Sequence, residues 1–351
     1  MKPCITGFFI LLVEAYFCSM SAEKIIGDWK KKHYKPLYWL EGEEDYYIDL
    51  VMSYAEHKIL PESEAGFNLS VFYGKDANWS DVVNACMRYP MFAEKQVVLL
   101  KEAQQMKDID KLEAYIENPL ASTIFVVSYK EKTLDKRTKL YKTIKKDGEV
   151  FTSEKIRDYK MAEWVKDYVS QQEFEMTPKA IALLVEFVGN DLSRVTNELE
   201  KITVNLGKRK SITEDDIEKY VGISKEYNAF ELQNALAVKD MAKAIKIIQY
   251  YESNPKVAPI QLVLPSIYNY FSKLYSIYGM ADKSEPAIKS LFYNNPFAAR
   301  DAMTALKLYG YEGVERALLL LHDYNLKSIG IGSINTSDGS LLKELVVKMM
   351  R

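Results

Sequence analysis

Residues 37–49 read LYWLEGEEDYYID, and they contain the strand, turn and helix start from which the fold can be worked out. The apolar run 37–40 ends at a turn containing Gly42, which predicts a short buried strand. After the turn, Tyr47 and Val51 begin a series of apolar residues at helical spacing. A buried strand that leads directly into a helix is typical of a parallel α/β sheet.

The same alternation of strand and helix patterns continues as far as residue 151. Further strands are predicted from apolar runs or alternation at 67–73, 97–100, 124–127 and 149–151. Helices are predicted between them, starting from Ser80 as a cap, around 112–116 and over 136–146. Strands and helices that alternate in this way predict a parallel sheet covered by helices on both faces.

The remainder of the chain has helical patterns only. Three short helices are predicted over 160–222, with Thr177 and Thr213 opening the first and last of them, and longer helices over 226–351, one of them capped by Asp240. The predicted class is therefore α/β plus all-α. The predicted domains are an α/β domain at 20–159, a small helical lid domain at 160–225 and a helical domain at 226–351.

Residues 1–20, MKPCITGFFILLVEAYFCSM, allow two interpretations. The apolar run 5–13 imitates an export signal, but Glu14 interrupts it, and a membrane span needs about 20 apolar residues. Met20 begins a polar, amphipathic stretch. We expect translation to start at Met20, with residues 1–19 as an extraneous extension, and an export signal is the alternative.

A parallel sheet followed by a small helical module suggests a nucleotide hydrolase of the AAA+ type, which needs a phosphate-binding loop after its first strand. Neither Gly-Lys pair of the chain fits the motif GxxxxGK[ST]. The expected position holds Glu41, Gly42, Glu43 and Glu44, and carboxylates at a helix start repel the phosphates that the helix would otherwise bind. The sequence predicts a nucleotide-hydrolase fold without a catalytic residue, a nucleotide cofactor or a metal site.

Charge and cysteine content exclude other classes of protein. The chain has 47 Lys and Arg against 49 Asp and Glu, a net charge of −2, which excludes a uniformly basic protein. Residues 130–166 nevertheless carry 12 Lys and Arg against 7 Asp and Glu, either as a solvated helix face or as a contact for DNA phosphate or a neighbouring subunit. The three cysteines form no disulfide or metal-binding pattern, and Cys86 is predicted to be a small core residue.

Five stretches in a fixed order carry a resemblance to a known family. They are YWLEGEEDYYID at 38–49, PMFAEKQVVLLKEA at 90–103, TLDKRTKLYKTIKKDGEV at 133–150, VGNDLSRVTNELEKI at 188–202 and EYNAFELQNAL at 226–236. With this order and spacing, residues 22–351 resemble the delta-subunit family of the bacterial DNA polymerase III clamp loader.

The resemblance implies a role in DNA replication. Members of this family belong to a five-subunit AAA+ ring but bind no ATP themselves, and they open the ring-shaped sliding clamp so that it can encircle primed DNA. The implied partners are the clamp, the motor subunits and the delta-prime subunit, with residues 226–351 in the collar that joins the pentamer. The implied location is the cytoplasm, and any nucleotidyltransferase activity belongs to the polymerase assembly.

The resemblance also assigns roles to individual residues. From the sequence alone, Met91 and Phe92 are predicted to be core residues beside a strand, whereas the resemblance implies that this apolar pair protrudes and enters a pocket on the clamp. Arg194 stands where active AAA+ relatives keep a phosphate-sensing arginine, and we interpret it as a structural ion-pair partner of Glu198.

Two classes of function remain open on the sequence. The first is a binding and remodelling subunit of the replication machinery. The second is an unrecognised enzyme of the nucleotide-hydrolase fold with a non-standard site. The two differ in whether the purified protein binds or hydrolyses a nucleotide.

Overall fold

Strand β1 (Leu37–Gly42) is buried along its whole length and pairs in parallel with a neighbour on each side. The structure is a computed structural model that describes residues 14–222, 224, 227–254, 258–292, 296–332 and 336–351. The other strands of the sheet are β2 (Leu69–Tyr73), β3 (Gln96–Lys101), β4 (Thr123–Lys130) and β5 (Glu149–Ser153). Their order is β2–β3–β4–β1–β5, and all neighbouring pairs are parallel.

Helices cover both faces of this sheet. They are α1 (Glu14–Lys30), α2 (Asp45–Lys58), α3 (Glu62–Asn68), α4 (Trp79–Cys86), α5 (Glu113–Ile116) and α6 (Lys139–Asp147). Successive side chains of a strand point to opposite faces. Trp39 accordingly belongs to a core cluster with Val82 of α4 and Ile144 of α6, while the Tyr38 ring meets Trp29 of α1 with 4.9 Å between centroids.

The chain divides into two compact units, the first ending at Ile156 and the second beginning at Arg157. Met20 lies inside helix α1, which begins at Glu14. The expectation that translation starts at Met20 stays a prediction, and residues 1–13 lie outside the described part of the chain.

The second unit is built almost entirely of helices. They are α7 (Met161–Gln171), α8 (Pro178–Val188), α9 (Leu192–Asn205), α10 (Glu214–Asp216, continued by a π turn at Ile217–Val221), α11 (Ala229–Ala237), α12 (Met241–Ser253), α13 (Ile260–Gly279), α14 (Glu285–Leu291), α15 (Pro296–Ser328) and α16 (Asp338–Met350). Helix α15 is kinked at Gly310, where φ is 63°. The α/β plus all-α class is confirmed, and the subdivision of the second unit at 225/226 stays a prediction.

Two of the predicted helix starts in the second unit are confirmed. The Thr177 hydroxyl accepts a hydrogen bond from the Ala180 amide at 3.2 Å, and the Asp240 carboxylate accepts one from the Lys243 amide at 3.0 Å. Each oxygen thereby satisfies a backbone amide that has no partner within its own helix. Gly222 ends the turn after α10 with φ 84°, a conformation that favours glycine.

Several predicted elements differ from the structure in detail. The strand predicted from residue 67 starts at Leu69, because Phe67 belongs to α3. The helix predicted over 136–146 begins at Lys139, since the Thr138 hydroxyl caps the Tyr141 amide at 3.3 Å. The stretch 160–222 contains four helices and not the predicted three, because α7 precedes the helix that Thr177 opens. It also contains a parallel pair of two-residue strands, β6 (Glu175–Met176) and β7 (Ser211–Ile212). Within the described residues, no helix has the length and apolar character needed to cross a membrane.

Candidate functional site

The connection between β1 and α2 occupies the place of a phosphate-binding loop, and it consists of only two residues, Glu43 and Glu44. Just before it, the buried Glu41 carboxylate accepts hydrogen bonds from the Trp39 indole at 3.1 Å and from the Leu134 amide at 2.9 Å. Burial raises the pKa of Glu41 above its ordinary value. This acid therefore fastens the end of the strand to the chain that follows β4.

The backbone amides of this connection, and that of Gly42 just before it, are already engaged. The Gly42 amide donates to the Lys132 carbonyl at 3.1 Å, while those of Glu43 and Glu44 donate to the Ser153 carbonyl at 2.9 and 3.3 Å. In a phosphate-binding loop, such amides bind the nucleotide. Here a phosphate would have to displace three hydrogen bonds within the protein.

Gly42 allows this close contact between β1 and β5. Its φ is 126°, and a Cβ atom at this position would lie 2.0 Å from the Ser153 carbonyl oxygen. Only glycine fits here, because any other residue would meet both an unfavourable backbone conformation and a steric clash. The Glu44 side chain caps α2 by accepting from the Tyr46 amide at 3.3 Å, so the predicted cluster Glu41–Glu44 is brought together as a structural junction.

The second predicted site, Met91 and Phe92, lies in the segment between α4 and β3. The Phe92 side chain is 97% exposed and that of Met91 is 52% exposed, so the core interpretation of Phe92 is wrong. Met87 and Tyr89, just before them in the chain, are also exposed. Four large apolar side chains within six residues are thus left in water, an arrangement that marks interaction surfaces.

The backbone of this segment is fixed by a buried amide that the sequence did not point to. The Asn68 Oδ1 atom accepts a hydrogen bond from the Met91 amide at 2.7 Å, and its Nδ2 atom donates to the Met91 carbonyl at 3.0 Å. Asn68 lies within the strand predicted over residues 67–73. Because asparagine is uncommon in strands, its presence there was the one signal that the strand begins later.

Arg194 lies in the first turn of α9 and does not pair with Glu198, which corrects our interpretation of it. Its guanidinium lies over the Phe187 ring, 5.6 Å from the centroid, while Glu198 forms an ion pair with Lys201 at 2.5 Å. The Arg194 amide is capped by the Asp191 carboxylate at 2.9 Å. A planar guanidinium stacks readily on an aromatic ring, so a cation–π contact takes the place of the expected ion pair.

Part of the basic charge of residues 130–166 is neutralised by acids from outside that stretch. Lys130 pairs with Asp49 at 2.8 Å, and Lys139 pairs with Glu113 and Glu117 at 2.9 and 2.5 Å. Part of the remaining charge lies in α6 and just before it. There a shallow basic concavity is lined by Lys136, Tyr141, Lys142, Lys145 and Lys146.

Cys86 is buried in the core of the first unit, as predicted. Burial raises the pKa of its thiol, which keeps the thiol protonated and unreactive at neutral pH. Over the described residues, no three His, Cys, Asp or Glu side chains are grouped so that they could hold a metal ion.

The chain is similar to known proteins over most of its length. Residues 38–154 match the sequence model of the family described as DNA polymerase III, delta subunit. The chain is 26% identical over 330 residues to DNA polymerase III subunit delta of Bacillus subtilis, with 90% of this chain and 93% of that protein covered. It is 23% identical over 297 residues to the probable DNA polymerase III subunit delta of Aquifex aeolicus, with 80% and 83% covered.

A solved structure has the same fold. The DNA clamp loader delta protein of Bacillus subtilis aligns with a TM-score of 0.57 at 22% sequence identity, covering 94% of this chain and 99% of that one. The family match lies on the α/β unit, which holds the β1–α2 junction and the exposed segment with Met91 and Phe92. Residues 38–154 thus match the DNA polymerase III delta-subunit family, and the chain as a whole is similar to delta subunits over most of its length.

Proposed function

We propose that this chain binds the ring-shaped sliding clamp through Met91 and Phe92 and opens it for loading onto primed DNA. The observation that carries the proposal is Phe92, an aromatic side chain 97% exposed to water on a segment with a fixed backbone. A phenylalanine that is fully removed from water on binding contributes about 1.5–3 kcal/mol. Met91 supplies a flexible apolar side chain that adapts to the shape of a pocket.

The role proposed for this subunit is mechanical and not chemical. At the β1–α2 junction, the amides of Gly42, Glu43 and Glu44 are held by protein carbonyls, which supports a subunit that leaves ATP to its partners. We propose that these partners are the motor subunits and the delta-prime subunit, that residues 226–351 join the collar, and that the complex acts in the cytoplasm on primed DNA. The basic concavity at α6 supports a contact with DNA phosphate.

The clamp contact is tested with the variant Met91→Ala/Phe92→Ala. We expect its affinity for the sliding clamp of the same organism to fall by at least about tenfold, or about 1.4 kcal/mol, because few residues carry most of the energy of an interface. Binding is measured by calorimetry or surface plasmon resonance. The matched control is Leu319→Ala, which shortens an exposed apolar side chain of α15 and should leave clamp binding unchanged.

Thermal unfolding of the same variant separates contact from folding. A truncated core phenylalanine costs about 3–5 kcal/mol of stability, whereas removal of the exposed Phe92 ring should leave the midpoint nearly unchanged. Clamp opening is measured as accelerated release of clamps from nicked circular DNA, which the wild type should promote and the variant should not. A well-folded variant that binds clamp normally would refute the proposed contact.

A further inference from the structure

We propose that Asn68 is a positioning residue for the clamp contact, which holds Met91 and Phe92 in their binding arrangement before the clamp arrives. This inference rests on the proposed function. It says that the position of the two contact residues is fixed by a residue on a different element. Asn68 ends helix α3, whereas the apolar pair lies 23 residues further along the chain.

The side chain of Asn68 uses all of its hydrogen-bonding groups within the protein. It is 4% exposed, and its Oδ1 and Nδ2 atoms bind the amide and the carbonyl of Met91. The second Nδ2 hydrogen goes to the Glu64 carbonyl at 3.1 Å, inside α3. Since an amide side chain offers one acceptor oxygen and two donor hydrogens, Asn68 joins the backbone of Met91 firmly to a helix.

The other end of the segment is held by a second buried amide. Gln96, at the start of β3, is 5% exposed, and its Nε2 atom donates to the Arg88 carbonyl and to the Thr123 hydroxyl. Between these two anchors, Pro90 restricts its own φ. The segment from Arg88 to Met91 is therefore fixed at both ends, although the side chains of Met91 and Phe92 remain in water.

Phe92 itself has a conformation that few non-glycine residues adopt. Its φ is 53°, in the left-handed region, which is unfavourable for a bulky side chain and persists only where the surrounding structure imposes it. The residue before it is the one that Asn68 holds. A segment that is already ordered loses less conformational freedom when it binds. Asn68 therefore raises clamp affinity by ordering the segment that carries Phe92, without touching the clamp itself.

The experiment compares Asn68→Ala with the wild type in the full chain. Asn68→Ala removes all three hydrogen bonds, and we expect clamp affinity to fall about five- to tenfold through the lost ordering. Asn68→Asp keeps the acceptor for the Met91 amide but turns a carboxylate oxygen towards the Met91 and Glu64 carbonyls, so it should also bind more weakly than the wild type. The matched control is Gln104→Ala, which removes another amide that holds a backbone group, the Lys130 amide at 3.0 Å, and it should bind normally.

Two readouts separate positioning from general support of the fold. Hydrogen exchange at the Met91 amide, measured in the free protein, should be slow in the wild type and fast in Asn68→Ala. In a thermodynamic cycle, Asn68→Ala should have no further effect on clamp binding once Met91→Ala/Phe92→Ala is present, because there is no apolar pair left to position.

The possible outcomes are distinct for the two proposals. Normal clamp binding by Asn68→Ala or by Asn68→Asp, or an equal loss in the background of Met91→Ala/Phe92→Ala, overturns the positioning role and leaves the clamp contact in place. Normal binding by Met91→Ala/Phe92→Ala, or no binding by the wild type, overturns the proposed function and the positioning role with it. If Asn68→Ala does not fold, the affinity and Met91 exchange of Asn68→Asp decide the matter.

Discussion

Glu41 shows what a single residue does at the end of a strand in this fold. Its carboxylate is buried, and it accepts hydrogen bonds from the Trp39 indole and the Leu134 amide. Burial nevertheless dominates and raises the pKa of Glu41. A proton is therefore bound more tightly by this group in the folded chain than in the unfolded chain, and ionisation of Glu41 opposes folding.

We predict that Glu41→Gln changes the dependence of stability on pH. A raised carboxyl pKa gives stability that is fully present below the unfolded-state pKa and is lost as the pH rises through the folded-state pKa. Glutamine keeps the shape and one acceptor oxygen but cannot ionise. The wild type should therefore lose stability relative to Glu41→Gln as the pH rises above the ordinary pKa of a glutamate, about 4.3.

Urea unfolding of both proteins as a function of pH measures the difference in the free energy of unfolding. Subtracting the two curves removes the other titrating groups that the proteins share. A difference that stays constant with pH, or that changes in the opposite direction, would contradict the raised pKa.

At the residue scale, the sequence predicted the acidic cluster but not its internal arrangement. The acids around Gly42 predict a barrier to phosphate from their charge alone. That Glu41 is buried while Glu43 is exposed depends on the register of β1 against β4 and β5, which only the folded sheet defines. The role of Asn68 could not be predicted either, because its hydrogen-bond partner Met91 is 23 residues away in sequence and only the folded chain brings the two together.

At the element scale, the start of α4 shows a limit of sequence patterns. They predict that a helix begins here, but not which of two capping residues begins it. Ser80 and Asn78 are both good capping residues, and Ser80 was the predicted cap. In the structure Asn78 is the N-cap, and its Oδ1 atom accepts from the Ser80 amide at 3.3 Å. The helix therefore begins at Trp79, one residue before the predicted cap.

We predict that the two caps differ in their contribution to stability. Asn78→Ala should lower the free energy of unfolding by about 1 kcal/mol, since it removes the acceptor for an otherwise unpaired amide. Ser80→Ala, within the first turn, should change it by less than about 0.5 kcal/mol. Urea unfolding of the two variants side by side measures the difference, and a larger loss for Ser80→Ala would restore the predicted cap.

The bounds of the other elements were predicted more closely where the sequence pattern was stronger. Strands β1, β3 and β4 are continuous apolar runs buried on both faces, so their positions were predicted closely. The alternation from residue 67 continues backwards from β2 into α3, and Phe67 fitted the strand pattern although its side chain is exposed. Strands β6 and β7 have two residues each, too few for any periodicity.

At the scale of the whole molecule, the topology of the sheet explains why the backbone amides of the β1–α2 junction are already occupied. The sheet order β2–β3–β4–β1–β5 places the end of β1 between β4 and β5. Lys132, two residues after β4, and Ser153, the last residue of β5, supply the carbonyls that accept hydrogen bonds from the amides of the junction. A fold does not determine a function, and in this chain the protein itself occupies the hydrogen-bonding groups that a nucleotide would need.

We predict that the purified protein binds no ATP. Binding of a triphosphate at the β1–α2 junction would break the hydrogen bonds of the Gly42, Glu43 and Glu44 amides. It would also bring phosphate charge close to the carboxylates of Glu43 and Glu44. A ligand that binds only the folded state stabilises it by about 2.7 kcal/mol at 100 times its dissociation constant. We therefore expect the thermal midpoint to be unchanged by millimolar Mg-ATP when compared with magnesium alone. A midpoint that rises and saturates with ATP would show that the junction opens for nucleotide, and the enzyme hypothesis would then replace the mechanical one.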